Sequence, residues 1–155
     1  MVTTFLWILM LLFCFNCAGY LHNIIVSVPN WSSGEIKDVM AYKNFQHRAK
    51  NKQYFGPLII GSALSCIVLL FLAWNKNPVL SLLVAIDLII VAINFITTFT
   101  IFLPIVSYIE NNNTFDATEL KSRVKKWVFY NYLRFASYAV GLVIAIFAIN
   151  CCTLG

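Results

Sequence analysis

Four long apolar runs separated by polar stretches organise this chain, covering residues 4–28, 55–74, 79–106 and 126–150. An α-helix rises about 1.5 Å per residue, so about 20 apolar residues cross the roughly 30 Å hydrocarbon core of a bilayer. Each run reaches that length, and each is predicted to be a transmembrane helix. The first run lacks the basic leader and the small-residue cleavage site of a signal peptide, so it reads as a span.

The breaks have their own pattern. After Pro29, Ser32, Ser33 and Gly34 mark a turn, charged residues (Glu35, Lys37, Asp38, Lys43, Arg48, Lys50, Lys52) alternate with Ile36, Val39, Met40, Tyr42 and Phe45 at near-helical spacing. That spacing predicts a short amphipathic helix at the membrane interface. Gly56-Pro57 opens the second span, where a proline costs no helical hydrogen bond. Asn75-Lys76-Asn77-Pro78 is a tight link, and residues 107–125 are polar, with Asp116 or Thr118 placed to cap a short helix. The expected architecture is all-α: one membrane domain over residues 1–155, an up-down bundle of four transmembrane helices with an interfacial amphipathic helix in the first long loop.

Composition strengthens this reading. Of the 155 residues, 61% are apolar and only 11% charged, against roughly 25% charged in soluble domains. A soluble chain this short has too much surface for its volume to hide that much apolar material. Membrane lipid is therefore an expected partner.

The formal charge of +5 resides in the loops, so it speaks to topology and anionic lipid, and no nucleic-acid partner is expected. The two long loops hold nine of the eleven Lys and Arg residues when Lys126 is counted as flanking. The positive-inside rule then places both long loops in the cytoplasm and both termini outside. Two glycosylation sequons, Asn30-Trp31-Ser32 and Asn112-Asn113-Thr114, fall in those same loops and point the other way. The charge asymmetry is the stronger signal.

Charged groups inside spans cost roughly 3 kcal/mol each on insertion scales and are functional candidates by default. Two occur, Asp87 and Arg134. From the expected span ends, Asp87 is roughly 13 Å and Arg134 roughly 12 Å deep from opposite sides, which predicts similar heights and an Asp87–Arg134 ion pair. Other polar residues fall in stripes. Trp127, Asn131, Arg134 and Tyr138 share one helix face; so do Asp87, Asn94 and Thr98; so do Asn16, Tyr20 and Asn23, with His22 adjacent. Two readings fit these stripes. They are interhelical hydrogen-bonding groups, or they line a polar pocket opening toward the long loops under the amphipathic segment. The expected lining is His22, Asn23, Asn94, Asn131 and Arg134, with Trp127 and Tyr54 near the mouth.

No cofactor is expected. The two histidines, His22 and His47, offer axial haem ligation as the remaining alternative. No paired carboxylates or Cys-His set predicts a metal site. Cys14-x-x-Cys17 has the spacing of a redox pair, but in an apolar run cysteine reads first as a small packing residue.

Three segments carry a family resemblance. They are Phe45-Gln46-His47-Arg48 leading to Tyr54-Phe55-Gly56-Pro57; the threonine-rich Thr97 to Asn111 with Phe102-Leu103-Pro104-Ile105 and Glu110-Asn111; and Lys126-Trp127 followed by Asn131 and Arg134. With these the chain resembles the anthrone oxygenase-like family of small four-helix membrane proteins. The first span is richer in cysteine and aromatics than that family's usual pattern. The resemblance implies oxidation of an anthrone-like aromatic with dioxygen, at positions matching Trp127, Asn131 and Arg134.

The leading functional expectation is an oxidoreductase or oxygenase-like protein acting on a lipophilic aromatic small molecule. Arg134 would stabilise an enolate or phenolate, and His22 or Asp87 would move a proton. The alternatives are a non-catalytic subunit of a membrane complex, a homo-oligomer included, and a lipid- or ligand-binding carrier.

Overall fold

The computed structural model describes residues 1–45, 51–74 and 77–153. Helix α1 runs over Val2–His22, widens into a π-turn at Asn23–Ser27 and finishes with Val28–Trp31. Helix α2 is Ile36–Phe45 and α3 is Asn51–Ala73. Helix α4 runs over Pro78–Thr97, widens into a second π-turn at Thr98–Phe102 and finishes with Leu103–Asn111; α5 is Ala117–Thr153.

Four of these helices are long and apolar enough to cross a membrane: Val2–Asn30, Gln53–Ala73, Pro78–Asn111 and Ala117–Cys152. They form the expected bundle. In sequence order α1 packs on α3, α3 on α4 and α4 on α5, and α5 closes the ring against α1. The interior is filled by Leu6, Leu9 and Phe13 of α1, Cys66 and Leu69 of α3, Val84 and Val91 of α4, and Tyr138 and Ala145 of α5. The outer faces are just as apolar, with Trp7, Phe71, Leu82 and Phe147 at least half exposed. A helix that is apolar all round belongs in lipid when it is not wholly buried.

Two spans outlast the membrane. Helices of 34 and 36 residues are much longer than the roughly 20 that a bilayer core needs. The polar stretch expected to be loop at 107–125 is therefore largely helix, projecting on the long-loop side. Local chemistry accounts for it. Asp116 caps α5 itself, its Oδ1 accepting from the Glu119 N–H at 2.8 Å. Glu119 and Arg123 follow as an i,i+4 ion pair at 2.7 Å, and Arg123 lies over the Tyr108 ring of α4.

Helix α2 docks on these projections. Its Val39 is fully buried in a second cluster with Phe102, Ile105, Ile109, Leu120, Val124 and Trp127. Lys43 donates to the Asn112 carbonyl at 2.9 Å. Gly34 makes the turn into α2 with φ 68°, and a Cβ there would sit 3.0 Å from the Lys121 backbone. Both the left-handed backbone and the close approach call for glycine.

Prolines shape α1, α3 and α4 on the long-loop side. Pro29 and Pro104 each follow a π-turn closely. A proline has no N–H and crowds the preceding turn, and one wider turn accommodates it. Pro57 sits inside α3, six residues past its first residue, and not at the helix start as expected from the sequence.

Candidate functional site

All three polar stripes face the bundle interior. Asn16, Tyr20 and Asn23 are buried, as are Asp87 and Asn94, and Trp127, Asn131, Arg134 and Tyr138. Most of the amides use part of their capacity on their own helices, through hydrogen bonds to carbonyls four residues back: Asn16 to Leu12, Asn94 to Ile90, Asn131 to Trp127, each at 2.9 Å. Asn94 also donates across to Ser137 at 2.9 Å, tying α4 to α5.

Arg134 is the centre of this arrangement. Its Nη2 donates to the Asn94 carbonyl at 3.0 Å and to the Thr98 hydroxyl, with Thr97 Oγ1 at 3.4 Å. Thr97 and Thr98 themselves donate to the same Asn94 carbonyl. The group thus sits where α4 begins its π-turn. The guanidinium carbon lies 3.5 Å from the Phe102 ring centroid, and the Tyr20 ring flanks it at 5.7 Å. Cation–π contact in a desolvated setting contributes about 2 kcal/mol. Among the described residues no carboxylate pairs with Arg134, although only 6% of it is exposed. Its Nε and the Tyr20 hydroxyl are buried without a hydrogen-bond partner.

The expected ion pair with Asp87 does not form. Asp87 is fully buried, and neither carboxylate oxygen has a partner among the described residues. It lies against Gly141 of α5, where an added Cβ would be 3.2 Å from Oδ1. Asn94, which meets Arg134, is seven residues from Asp87, and Gly141 is seven from Arg134. The two charges are therefore about two turns, roughly 10 Å, apart along the helices. The expected heights take the two depths from opposite faces of a roughly 30 Å core, whereas the α4 span runs for 34 residues, roughly 50 Å at about 1.5 Å per residue, so the two depths do not meet.

Arg134 closes the inner end of a cavity of about 750 Å³. Asn23, Trp127, Asn131 and Arg134, all read from the sequence, line it. Its walls are aromatic: Tyr20 and Phe55 on one side, Phe95, Phe99 and Phe102 along α4, with Tyr42 of α2 toward the outer end. Lys43, Glu110 and Asn111 form a polar mouth there. An added Cβ at Gly56 would meet nothing within 4 Å, so glycine leaves the α3 wall open to the cavity.

Other expected lining residues lie elsewhere. His22 is exposed on the outer face of α1, because one residue along a helix is a 100° rotation and Asn23 takes the inward direction. Tyr54 is 45% exposed and donates to the Phe15 carbonyl at 2.8 Å; its neighbours Phe55 and Gly56 face the cavity instead. Asn94 contributes its carbonyl to Arg134 and does not line the cavity, and Asp87 lies below it. His47, the other histidine considered for haem, lies outside the described residues. Cys14 and Cys17 are free thiols. Among the described residues no cluster of three or more His, Cys, Asp or Glu side chains is placed to hold a metal ion.

The cavity, its buried guanidinium and the helices that carry them fall mostly within residues 45–144, the stretch matched by the family model for anthrone oxygenase. The chain belongs to the anthrone oxygenase family. The match takes in Phe55, Gly56, the α4 aromatics, Trp127, Asn131 and Arg134. Tyr20, Asn23, Tyr42 and Lys43 lie outside it, on α1 and α2. No curated protein and no solved structure matches the chain.

The sequence reading missed the aromatic wall. Phe95, Phe99 and Phe102 follow steps of four and three, the spacing of a single helix face. Phenylalanine in an apolar span carries no polar signal, so the stripe was invisible beside the asparagines.

Proposed function

We propose that this protein is a membrane oxidoreductase of the anthrone oxygenase type, acting on a lipophilic aromatic small molecule held in the cavity. The observation that carries the reading is the unopposed Arg134 guanidinium at the inner end of an aromatic-walled cavity. Fused aromatic rings match flat faces such as Phe55, Phe99 and Phe102. A buried cation without a counter-charge is matched by a ligand that carries, or develops, negative charge.

The chemistry of an anthrone fits that polarity. Its ring methylene is activated by a ketone, and loss of a methylene proton places charge on the ketone oxygen. Arg134 is the group to hold that oxygen, with the Tyr20 hydroxyl and the Asn131 amide on the same walls. The methylene then exchanges two hydrogens for one oxygen atom of dioxygen, and the second oxygen atom leaves as water. Asp87 lies about two turns from Arg134 and is a candidate for moving protons within the bundle, not for direct contact with ligand. His22, on the outer face, has no part in the proposal.

The test is turnover of an anthrone by protein in nanodiscs under air, followed by absorbance of the anthraquinone. Arg134→Ala is expected to lose about 10²–10³ in rate while still folding, the scale set by removal of one oxyanion donor. Saturable binding without turnover would move the assignment to a carrier. Neither binding nor turnover, with other chains copurifying, would move it to a structural subunit. For orientation, the basic residues Lys121, Arg123, Lys125 and Lys126 on the projecting end of α5 support a cytoplasmic long-loop side.

A further inference from the structure

The cavity has two ends outside its polar floor, and they face different solvents. Exposed large apolar side chains form a belt around the bundle. On the long-loop side this belt stops at Val26 on α1, Tyr54 on α3, Leu103 on α4 and Phe129 on α5. Lys43, Glu110 and Asn111 lie past that edge and form the watery mouth. Ile60, Phe95, Phe99 and Leu103 also line the cavity, yet they lie inside the belt and are between 38% and 56% exposed. A side chain that lines a cavity and is also exposed at the level of the lipid marks a side opening.

The backbone explains why the opening is there. The Pro78–Thr97 part of α4 packs against α3. Beyond the π-turn at Thr98–Phe102, Leu103–Asn111 packs against α2 and α5 instead. The two helices therefore part company at the height of Phe99. Phe95 and Phe99, in ring contact at 4.8 Å, edge the gap on α4. On α3, Gly56 offers no side chain to fill it.

We propose that this gap is a portal to the bilayer, and that the cavity's occupant is a lipophile that enters sideways from the leaflet on the long-loop side. The polarity gradient supports a lipid-dissolved occupant over a water-borne one: the rim is apolar, the walls aromatic, and the sole buried cation among the cavity's lining residues lies at the far end. Such a molecule slides in ring-first or chain-first from lipid without crossing the charged mouth. The proposal rests on the cavity being the ligand site, but its test does not depend on turnover.

The probe is the acyl chain itself. Trp127 lines the cavity and is only 3% exposed. A variant that keeps it as the single tryptophan (Trp7→Phe, Trp31→Phe, Trp74→Phe) is reconstituted in vesicles of phosphatidylcholine with brominated acyl chains, and bromine contact quenches its emission. The expected result is that Trp127 loses most of its emission in brominated vesicles and regains it when Gly56→Phe plugs the gap; Gly56→Leu serves if the larger residue prevents folding. Two results overturn the portal. One is quenching by aqueous acrylamide with none from brominated lipid, which leaves only the watery mouth. The other is bromine quenching that the plugged variants do not change, which places the bromine outside the cavity. Quenching that the plug removes, in a protein with no anthrone turnover, keeps the portal and discards the oxidoreductase reading.

Discussion

Arg134 of α5 lies against Phe102 of α4 with its guanidinium carbon 3.5 Å from the ring centroid, while Nη2 donates to the carbonyl that opens the α4 π-turn. One residue thereby locks two spans together and presents charge to the cavity. Phe102→Leu keeps the volume apolar but removes the ring face. It is expected to lower anthrone turnover about tenfold, equivalent to about 1.4 kcal/mol of transition-state stabilisation. Phe71→Leu, on the lipid-facing side of α3, is the control and is expected to leave turnover unchanged. Steady-state rates in nanodiscs decide it.

Asp87 and Arg134 are about two turns apart, so neutralising one is not expected to release the other. Asp87→Asn should leave ligand affinity within about twofold of wild type, as distant, unpaired sites behave additively. Weakening of binding comparable to that of Arg134→Ala would show that the two charges are coupled. Equilibrium titration with an anthraquinone measures it.

Gly141 leaves room for Phe13 and Asp87 at the centre of the bundle. A methyl group there would come within 2.8 Å of Phe13 and 3.2 Å of the Asp87 carboxylate. Gly141→Ala is therefore expected to destabilise the folded bundle by about 1–3 kcal/mol. The midpoint of thermal unfolding in detergent should fall, whereas Gly56→Ala, in open space, should leave it within error.

His22 faces outward, so His22→Ala should retain wild-type turnover. A large loss of rate at constant folding would restore a histidine base and require α1 to rotate. The same assay tests both outcomes.

The turn at Gly34 holds α2 against α5. Gly34→Ala places a Cβ on a left-handed backbone against Lys121 and is expected to cost about 1–3 kcal/mol locally. Limited proteolysis between residues 32 and 45 should accelerate while the spans stay intact.

The spans were legible because lipid imposes a length and a hydropathy that few other environments demand. The inward faces were legible because asparagines in a span are costly unless turned to other helices, as Asn16, Asn94 and Asn131 are. Helix ends were not. Asp116, Glu119 and Arg123 look like loop in a hydropathy trace, yet as cap and ion pair they continue α5 into water. The Asp87–Arg134 pairing failed on length: a span of 34 residues is much longer than the bilayer core, so depths from opposite faces do not share one height. His22 was misread for a different reason: its neighbour Asn23 belongs to the inner stripe, but adjacency in sequence is not adjacency on a helix. The prolines Pro29 and Pro104 held the clue to the π-turns, and the spacing of Phe95, Phe99 and Phe102 held the clue to the cavity wall.

The most direct measurement is equilibrium binding of an anthraquinone to the purified protein in nanodiscs, read by quenching of Trp127 emission in the single-tryptophan background. Saturable binding that Arg134→Ala weakens at least about tenfold, and that His22→Ala leaves unchanged, is the expected result, since removing a charged hydrogen-bond partner costs about 1.5–3 kcal/mol. Equal affinity in the wild type and Arg134→Ala would contradict it, and would leave the guanidinium as a strut between α4 and α5.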